Sequence, residues 1–257
     1  MKRRQLIGYG GIGLATAIAS SLIPRRSFAQ DSSDAVTIQY LGHTCFLFTG
    51  SGLTVLVNPY QSVGCTAGYS LPDLQPDVVL VSSFLLDEGA IDAVSGNPKV
   101  YSDRGTHKIG GVTFKGFAIP HDREDGRRFG QNVAWRWTQG GVDIVHLGGA
   151  AAPLDTENKI LLSGADILLA PVGGGIKAYN PQEAKQAVGV LNPKMIIPTH
   201  YRTQAANAEA CDLAPVDEFL TLVQDLEIAR VGSDSIAVKK SDLNSDNTLV
   251  RVLDYKS

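Results

Sequence analysis

Cysteine is scarce in this 257-residue chain, which has three copies at Cys45, Cys65 and Cys211 and no Cys-x-x-Cys pair. Three scattered cysteines are too few for a disulfide framework. One disulfide would be compatible with an oxidising compartment, whereas buried or free thiols are the more ordinary use of cysteine. The sequence leaves open whether any two of the three are joined.

Two common sets of catalytic and nucleotide-binding motifs are also missing. Ser82 and Ser83 lie outside any Gly-x-Ser-x-Gly elbow, which disfavours a serine hydrolase. The run Gly173 to Gly175 is not followed by Lys-Ser or Lys-Thr in Walker spacing, and it lacks the Gly-x-Gly-x-x-Gly fingerprint. These absences disfavour a nucleotide site at this run.

Residues 1–29 have the order that is typical of an export signal. A basic start precedes an apolar run rich in Gly, Ala and Ser, and Ser27-Phe28-Ala29 fits a small-x-Ala cleavage pattern. Arg3-Arg4 followed by Gln-Leu-Ile matches the twin-arginine form. The glycines make an uncleaved membrane anchor the less favoured alternative. We therefore expect twin-arginine export, cleavage near Ala29, no stable membrane span afterwards, and a location in the periplasm, or in the thylakoid lumen of a photosynthetic source.

Positive charge is in short supply once this signal is set aside. Residues 1–29 contain five basic and no acidic residues, so residues 30–257 carry 18 Lys and Arg against 26 Asp and Glu, a formal net charge of −8. This surplus of negative charge argues against a nucleic-acid partner. The 228 residues from 30 to 257 suffice for one substantial core, and no linker or repeat interrupts them. We expect a single domain over 30–257.

Strand-forming segments dominate the first part of this domain. Strands are predicted over 36–41, 45–48, 53–57, 77–81, 112–119, 132–138 and 142–147. The first three are separated by Gly-His and Gly-Ser-Gly turn signals, which indicates a meander. The continuous apolar run of 77–81 predicts a strand that is buried on both faces. The last pair forms a hairpin at Gly140-Gly141.

The second part of the domain alternates between strands and helices. Strands are predicted over 166–171 and 194–198, with helices over 181–191 and 215–226. The first helix begins at a proline and carries its apolar residues on one face. Helices must cover the outer faces of two mixed sheets. The order of elements therefore predicts an α+β fold, a four-layer αββα sandwich.

Seven segments, taken in order, resemble the motifs of a known family. They are YLGHTCFLF, LTVLVNPY, DVVLVSS, AIPHD, VHLGG, ILLAPVGGG and KMIIPTHY. Together they resemble the metallo-β-lactamase superfamily, in particular its metal-dependent hydrolase branch that is similar to L-ascorbate-6-phosphate lactonase. The resemblance covers nearly all of residues 30–257, and it implies the αββα fold with an active site at one edge of the sandwich.

The resemblance also implies a pattern of ligands for two metal ions, which activate water for attack on a phosphoester, lactone, thioester or lactam. The pattern consists of an H-x-H-x-D-H motif, a later His, the Asp of a Gly-Asp pair and a last His. On this sequence it falls on Ser83, Leu85, Asp87, Glu88, His121, Gly149 and His200. Three of these seven positions, Asp87, His121 and His200, keep the family's residue type.

The four changed positions weaken the metal site unequally. Leu85 cannot bind a cation, the neutral hydroxyl of Ser83 is a poor zinc ligand, and Gly149 lacks the bridging carboxylate. A dinuclear zinc centre is therefore not expected. Asp87, Glu88 and His200 could still hold one divalent ion, because two carboxylates and one imidazole suit Zn, Mn or Fe. His121 is then the candidate acid or base.

Two functions stay open at this point. The loss of the bridging aspartate and of both leading histidines favours a non-catalytic descendant, whose old cleft binds a small molecule or a protein partner. The alternative is a residual mononuclear metallohydrolase that acts on a small ester, lactone or phosphoester.

A few further residues are candidates for the same cleft. His43 matches a histidine that lies beside the cleft in this branch, and it could contact a ligand or only hydrogen-bond backbone in its turn. Arg123 could hold a phosphate or carboxylate, although its acidic neighbours favour a self-paired, solvated loop. Gly149 and His121 are further candidates for lining the cleft. His146, which precedes Gly148, is expected to be a core histidine.

Overall fold

Two β-sheets that share one hydrophobic core form the framework of the fold. The computed structural model describes residues 34–243 and 247–256, which fall in one compact unit over residues 32–257. The predicted export signal over 1–29 lies outside the described residues. The strands are β1 (Ala35–Gly42), β2 (Cys45–Gly50), β3 (Leu53–Val57), β4 (Val78–Leu80), β5 (Lys99–Tyr101), β6 (Gly105–Ile109), β7 (Val112–Pro120), β8 (Gln131–Gln139), β9 (Val142–His146), β10 (Ile167–Pro171), β11 (Met195–Thr199), β12 (Glu227–Arg230), β13 (Ser235–Lys239) and β14 (Leu249–Val252).

The first sheet has six strands in the order β13-β1-β2-β3-β4-β5. Strands β1, β2 and β3 pair antiparallel, as the predicted meander requires, and β13 joins the free edge of β1 antiparallel. Strands β4 and β5 continue the sheet in parallel. The predicted opening of the domain is therefore confirmed, whereas β13 comes from a distant part of the chain.

The second sheet has eight strands in the order β12-β14-β11-β10-β9-β8-β7-β6. Its strands β9, β10, β11 and β14 run parallel, and β6 to β9 pair antiparallel in sequence order. The predicted hairpin of β8 and β9 is confirmed. Trp135 and Trp137 point into the core from the same face of β8, while Arg136 points outward and pairs with Asp143.

The side chains of β4 confirm that this strand is buried on both faces. Val78 and Leu80 point into the main core between the sheets. Val79, together with Val81 just after the strand, joins a second apolar cluster with Leu56 on the other face. Alternation of side chains along a strand puts neighbours on opposite faces, so a continuous apolar run fits this position.

Three α-helices follow the ninth strand: α1 (Thr156–Leu162), α2 (Pro181–Leu191) and α3 (Val216–Leu222). Helix α2 has the predicted bounds. Asn180 caps its start and forms a capping box with Glu183 in the first turn, and Asn192 ends it in the left-handed conformation. Helix α2 packs against α1, α3 and β10. Helix α3 ends earlier than predicted, since the chain turns at Val223 to enter β12.

The α+β sandwich predicted for the domain is confirmed, with one difference in its layers. In residues 34–243 and 247–256, the outer face of the six-stranded sheet has no α-helix against it. Tyr60, Tyr69, Leu71 and Leu74 from the segment after β3 cover it instead. Prolines and glycines interrupt that segment, which therefore cannot continue as a helix.

A disulfide joins Cys65 to Cys211, and Cys45 is buried and free. The bond ties the segment after β3 to the loop that follows β11. It answers the pairing question that the sequence leaves open.

Within the described part of the chain, no helix combines the length and apolarity that a membrane span requires.

Candidate metal centre

His43, Glu88 and His200 come together where several strands end. Each offers one ligand atom, and the three atoms lie within 4.8 Å of one another. His43 lies in the turn after β1, Glu88 in the loop after β4, and His200 directly after β11. All three side chains are buried, at 0–2% exposure. Three metal-binding side chains from distant parts of the chain therefore meet out of contact with solvent.

The two histidines are held by an unusual backbone. His43 and His200 have φ values of 55° and 51°, in the left-handed region that non-glycine residues seldom adopt. The amide of His200 donates a hydrogen bond to the carbonyl of His43 over 3.0 Å. Their rings meet edge to face, with centroids 4.1 Å apart. Such conformations persist where the surrounding structure enforces them, and they cluster at functional sites.

Glu88 is the charged centre of the group. Its Oε2 lies 3.4 Å from His121 Nε2, and its Oε1 lies 3.4 Å from His200 Nδ1. The Ser83 hydroxyl donates to Oε2 over 3.2 Å. Burial raises the pKa of this carboxyl, but His121, and then His200, outweigh it and hold the pKa well below its ordinary value. These neighbours therefore favour the ionised form of Glu88 although its side chain is fully buried.

Most of the nitrogen atoms around Glu88 have no hydrogen-bond partner. Both ring nitrogens of His43 and of His121 are buried without one, and so are His200 Nδ1 and Glu88 Oε1. Burial lowers the pKa of His43 and, with the charge of His43, that of His200. Neutral imidazole is the form that binds metals. A bound cation would satisfy one ligand atom on each of His43, Glu88 and His200.

Gly149 decides whether a two-metal centre fits. The Asn132 side chain fixes this glycine by accepting a hydrogen bond from its amide over 2.8 Å. A Cβ added to Gly149 would lie 2.3 Å from His121 Nε2 and 2.6 Å from Glu88 Oε1. A bridging aspartate cannot be accommodated there while Glu88 holds its place, and Leu85 offers no ligand atom. His43, Glu88 and His200 provide a donor set that fits a divalent metal ion.

Asp87 occupies a different position from the one that the sequence suggests. Its Oδ2 is ion-paired with Lys177 Nζ and lies 3.9 Å from His43 Nε2. Of the predicted set Asp87, Glu88 and His200, the structure brings the last two together, and His43 takes the third place. The two adjacent carboxylates have different partners: Asp87 pairs with Lys177, whereas Glu88 lies beside His121 and His200.

Sequence reasoning missed Lys177. It lies 90 residues beyond Asp87, in the loop between β10 and α2, and no local pattern connects the two. One signal was present: the loop follows a parallel strand next to β11, so it reaches the same edge as His200.

Arg123 is engaged within the protein. Its guanidinium makes a two-point ion pair with Glu183 and donates to the carbonyls of Gly175 and Ala178. These contacts join the loop after β7 to the loop that carries Lys177. Asp122 accepts four backbone amides, which overcome its burial and lower its pKa to about 2. Asp122 is paired within its own loop, whereas Arg123 is paired with Glu183 and with the loop that carries Lys177.

His146 is a structural histidine, as expected. Its Nδ1 accepts a hydrogen bond from the amide of Gly148, so Nε2 carries the proton and donates to the carbonyl of Thr44. Burial lowers the pKa of His146 to about 4. The ring has no free donor atom for a metal.

Comparisons with known proteins agree with this fold. Residues 37–200 match the family profile of the beta-lactamase superfamily domain. A metal-dependent hydrolase from Thermococcus onnurineus is 26% identical over 215 residues, which cover 74% of this chain and 93% of that protein. A structure from Thermotoga maritima, assigned to the Zn-dependent hydrolases of the metallo-β-lactamase superfamily, is 27% identical with a TM-score of 0.65 and covers 85% of this chain and 98% of its own.

A more distant structure supports the fold alone. A metallo hydrolase from Ignicoccus hospitalis is 16% identical, with a TM-score of 0.58 over 87% of this chain and 97% of its own. The family profile spans more than half of the sequence and reaches from β1 to the candidate ligand His200. By these measures the chain belongs to the metallo-β-lactamase superfamily, in its branch of metal-dependent hydrolases.

Proposed function

We propose that this protein is an exported hydrolase that uses a single divalent metal ion, held by His43, Glu88 and His200. The observation that carries the proposal is the close approach of three buried ligand atoms within 4.8 Å. Two imidazoles and one carboxylate form a donor set that zinc hydrolases use with water in the remaining position, and Mn and Fe also accept it.

Each residue around the proposed ion has a separate role in hydrolysis. An ion bound there would lower the pKa of a bound water and polarise the carbonyl or phosphoryl oxygen of a small ester, lactone or phosphoester. Glu88 supplies the negative charge that holds the cation, and Ser83 fixes one of its oxygens. His121 faces Glu88 at 3.4 Å and has both ring nitrogens free of other partners. It is the group placed to take or deliver a proton at Nε2.

Metal binding is tested by the melting temperature of the purified domain. Zn, Mn or Fe should raise it, because a ligand of the native state stabilises that state. His43→Ala, Glu88→Gln and His200→Ala should each abolish the rise. Asp92→Asn, which removes an exposed carboxylate four residues after Glu88, is the matched control and should keep it. His121→Ala should keep much of the rise and lose hydrolysis.

A non-catalytic descendant is the second candidate. Two observations support it. The side chains of His43, Glu88, His121 and His200 are all buried, at 0–2% exposure, and the position of the family's bridging aspartate is occupied by Gly149. In that case Glu88 is balanced by its neighbours within the protein, with no bound ion. Added metals would then leave the melting temperature unchanged, and Glu88→Gln would leave stability equal or improved.

Export by the twin-arginine route is part of the proposal. The Cys65–Cys211 disulfide supports it, because structural disulfides persist in oxidising compartments. Changing both Arg3 and Arg4 to Lys should leave uncleaved precursor in the cytoplasm. Continued export of that double variant would count against the route.

A further inference from the structure

Asp87 is a second carboxylate beside the proposed metal site, and it is not one of the three proposed ligands His43, Glu88 and His200. Its Oδ2 lies 3.9 Å from His43 Nε2. Ligand atoms around one tetrahedral zinc ion lie about 3.3–3.6 Å apart, given bonds of about 2.0–2.2 Å. Asp87 is therefore only slightly farther from His43 than two ligands of one ion would be, although it lies outside the cluster of ligand atoms that His43, Glu88 and His200 form.

Lys177 holds Asp87 away from that role. The ammonium is ion-paired with the same oxygen, Oδ2, that faces His43. Both partners are shielded, with side-chain exposures of 21% for Lys177 and 16% for Asp87. A charge pair that is mostly out of water is screened less than a surface pair. An ion at the site and the Lys177 ammonium would compete for one carboxylate oxygen.

The loop around Lys177 is anchored on both sides, so the ammonium is not free to leave. Arg123 donates to the carbonyls of Gly175 and Ala178, which flank Lys177 at two and one residues. The amide of Gly173 donates to the carbonyl of His200, and that of Tyr179 to the carbonyl of Ala150. The backbone therefore holds Lys177 against the edge of the metal site.

We propose that Lys177 withholds Asp87 from the metal ion and so limits the site to three protein ligands. The inference rests on the proposed metal binding by His43, Glu88 and His200. Lys177 is a positioning residue: its charge occupies Asp87 Oδ2 and keeps a coordination position open for water or substrate. Removing the ammonium releases Asp87 as a fourth protein ligand.

The test measures Zn²⁺ affinity by competition with a chromophoric chelator, in the domain freed of metal. Lys177→Met should bind Zn²⁺ at least about tenfold tighter, since groups beside a metal site commonly change its affinity by about 10- to 100-fold. Lys177→Gln is a second variant of the same kind. Lys177→Arg keeps a cation and should retain the wild-type affinity. Lys177→Met combined with Asp87→Asn should lose the gain, because the released ligand is gone.

The outcomes separate this inference from the proposed function. If wild-type protein binds Zn²⁺ and both Lys177 variants bind it no tighter, the inference is overturned and the metal site stands. A gain that persists in the double variant also overturns it, since Asp87 is then not the released ligand. If wild-type protein binds no Zn²⁺ but Lys177→Met binds it through Asp87, Lys177 has the proposed role and the wild-type metal site fails. Absence of binding in every variant overturns both.

Discussion

The carboxylate of Glu88 fills the space that Gly149 leaves open. A Cβ on Gly149 would lie 2.6 Å from Glu88 Oε1 and 2.8 Å from Oε2. In the family pattern a carboxylate at position 149 would bridge two metals, and here a carboxylate enters the same region from the loop after β4. The carboxylate in this region therefore comes from Glu88 and not from position 149.

Gly149→Ala should therefore destabilise the domain. The added methyl group must displace Glu88 or His121, and overpacking of a buried region costs about 1–3 kcal/mol. The free energy of unfolding, measured in denaturant, should fall by that amount, and Zn²⁺ binding should weaken as Glu88 moves. Gly189→Ala in α2 is the matched control, because its Cβ would meet nothing within 4 Å. That control should be neutral or stabilising by up to about 1 kcal/mol. A Gly149→Ala protein with wild-type stability and metal affinity would show that the space is not filled as described.

Arg123 should act on the Lys177 loop, not on a ligand. Lys cannot reproduce its fork-shaped contacts with Glu183, Gly175 and Ala178. Both Arg123→Lys and Arg123→Gln should therefore speed hydrogen exchange of the amides in residues 173–179, with Gln the larger effect. Inorganic phosphate should leave exchange unchanged in wild-type protein. Protection of this loop by phosphate, lost in Arg123→Gln, would instead make Arg123 an anion ligand.

Stability should fall in mild acid because of His146. This histidine stays neutral in the native state down to about pH 4, whereas the unfolded chain protonates it near its ordinary pKa of 6.5. Below pH 6.5 the unfolded state binds more protons, so the free energy of unfolding falls between about pH 6.5 and 4, by about 3 kcal/mol for this group. His43 and His200, whose pKa values are also lowered, act in the same direction.

The measurement is denaturant unfolding across this pH range with a chelator present, so that metal binding does not contribute. His146→Gln should flatten the slope while keeping an amide that can donate to Thr44. An unchanged slope in that variant would show that His146 is not buried as a neutral ring.

The sequence carried enough information for the framework and for part of the site. Strand β3 and helix α2 have the predicted bounds, because apolar alternation and the Asn180–Glu183 cap are local signals. Strand β13 has no such local signal. It is short and mostly half-exposed, and it pairs with β1 across about 200 residues of chain. Local pattern could not show that pairing.

The candidate site likewise has a part that the sequence predicts and a part that it does not. Glu88 and His200 follow from the order of motifs, since both come after strands that end at one edge. The grouping of His43 with Glu88 and His200, and the ion pair of Asp87 with Lys177, which is 90 residues away, depend on long-range packing. Three cysteines likewise could not reveal which pair is joined. Contacts of this range depend on packing, not on neighbouring residues.

The Cys65–Cys211 disulfide should contribute measurably to stability. It closes a loop with a sequence separation of 146, and native disulfides typically contribute about 2–5 kcal/mol. Reductant should lower the melting temperature of wild-type protein to that of the double variant Cys65→Ser with Cys211→Ser. The double variant itself should not respond to reductant. If reductant leaves the wild-type melting temperature unchanged, the bond does not have this role.

The most direct test of a one-metal site is native mass spectrometry of the exported protein, isolated without chelator and then supplied with excess Zn²⁺. The account predicts a single specifically bound ion per chain, lost in Glu88→Gln and retained in Asp92→Asn. Two specifically bound ions in the wild-type protein, or none after zinc loading, would contradict it.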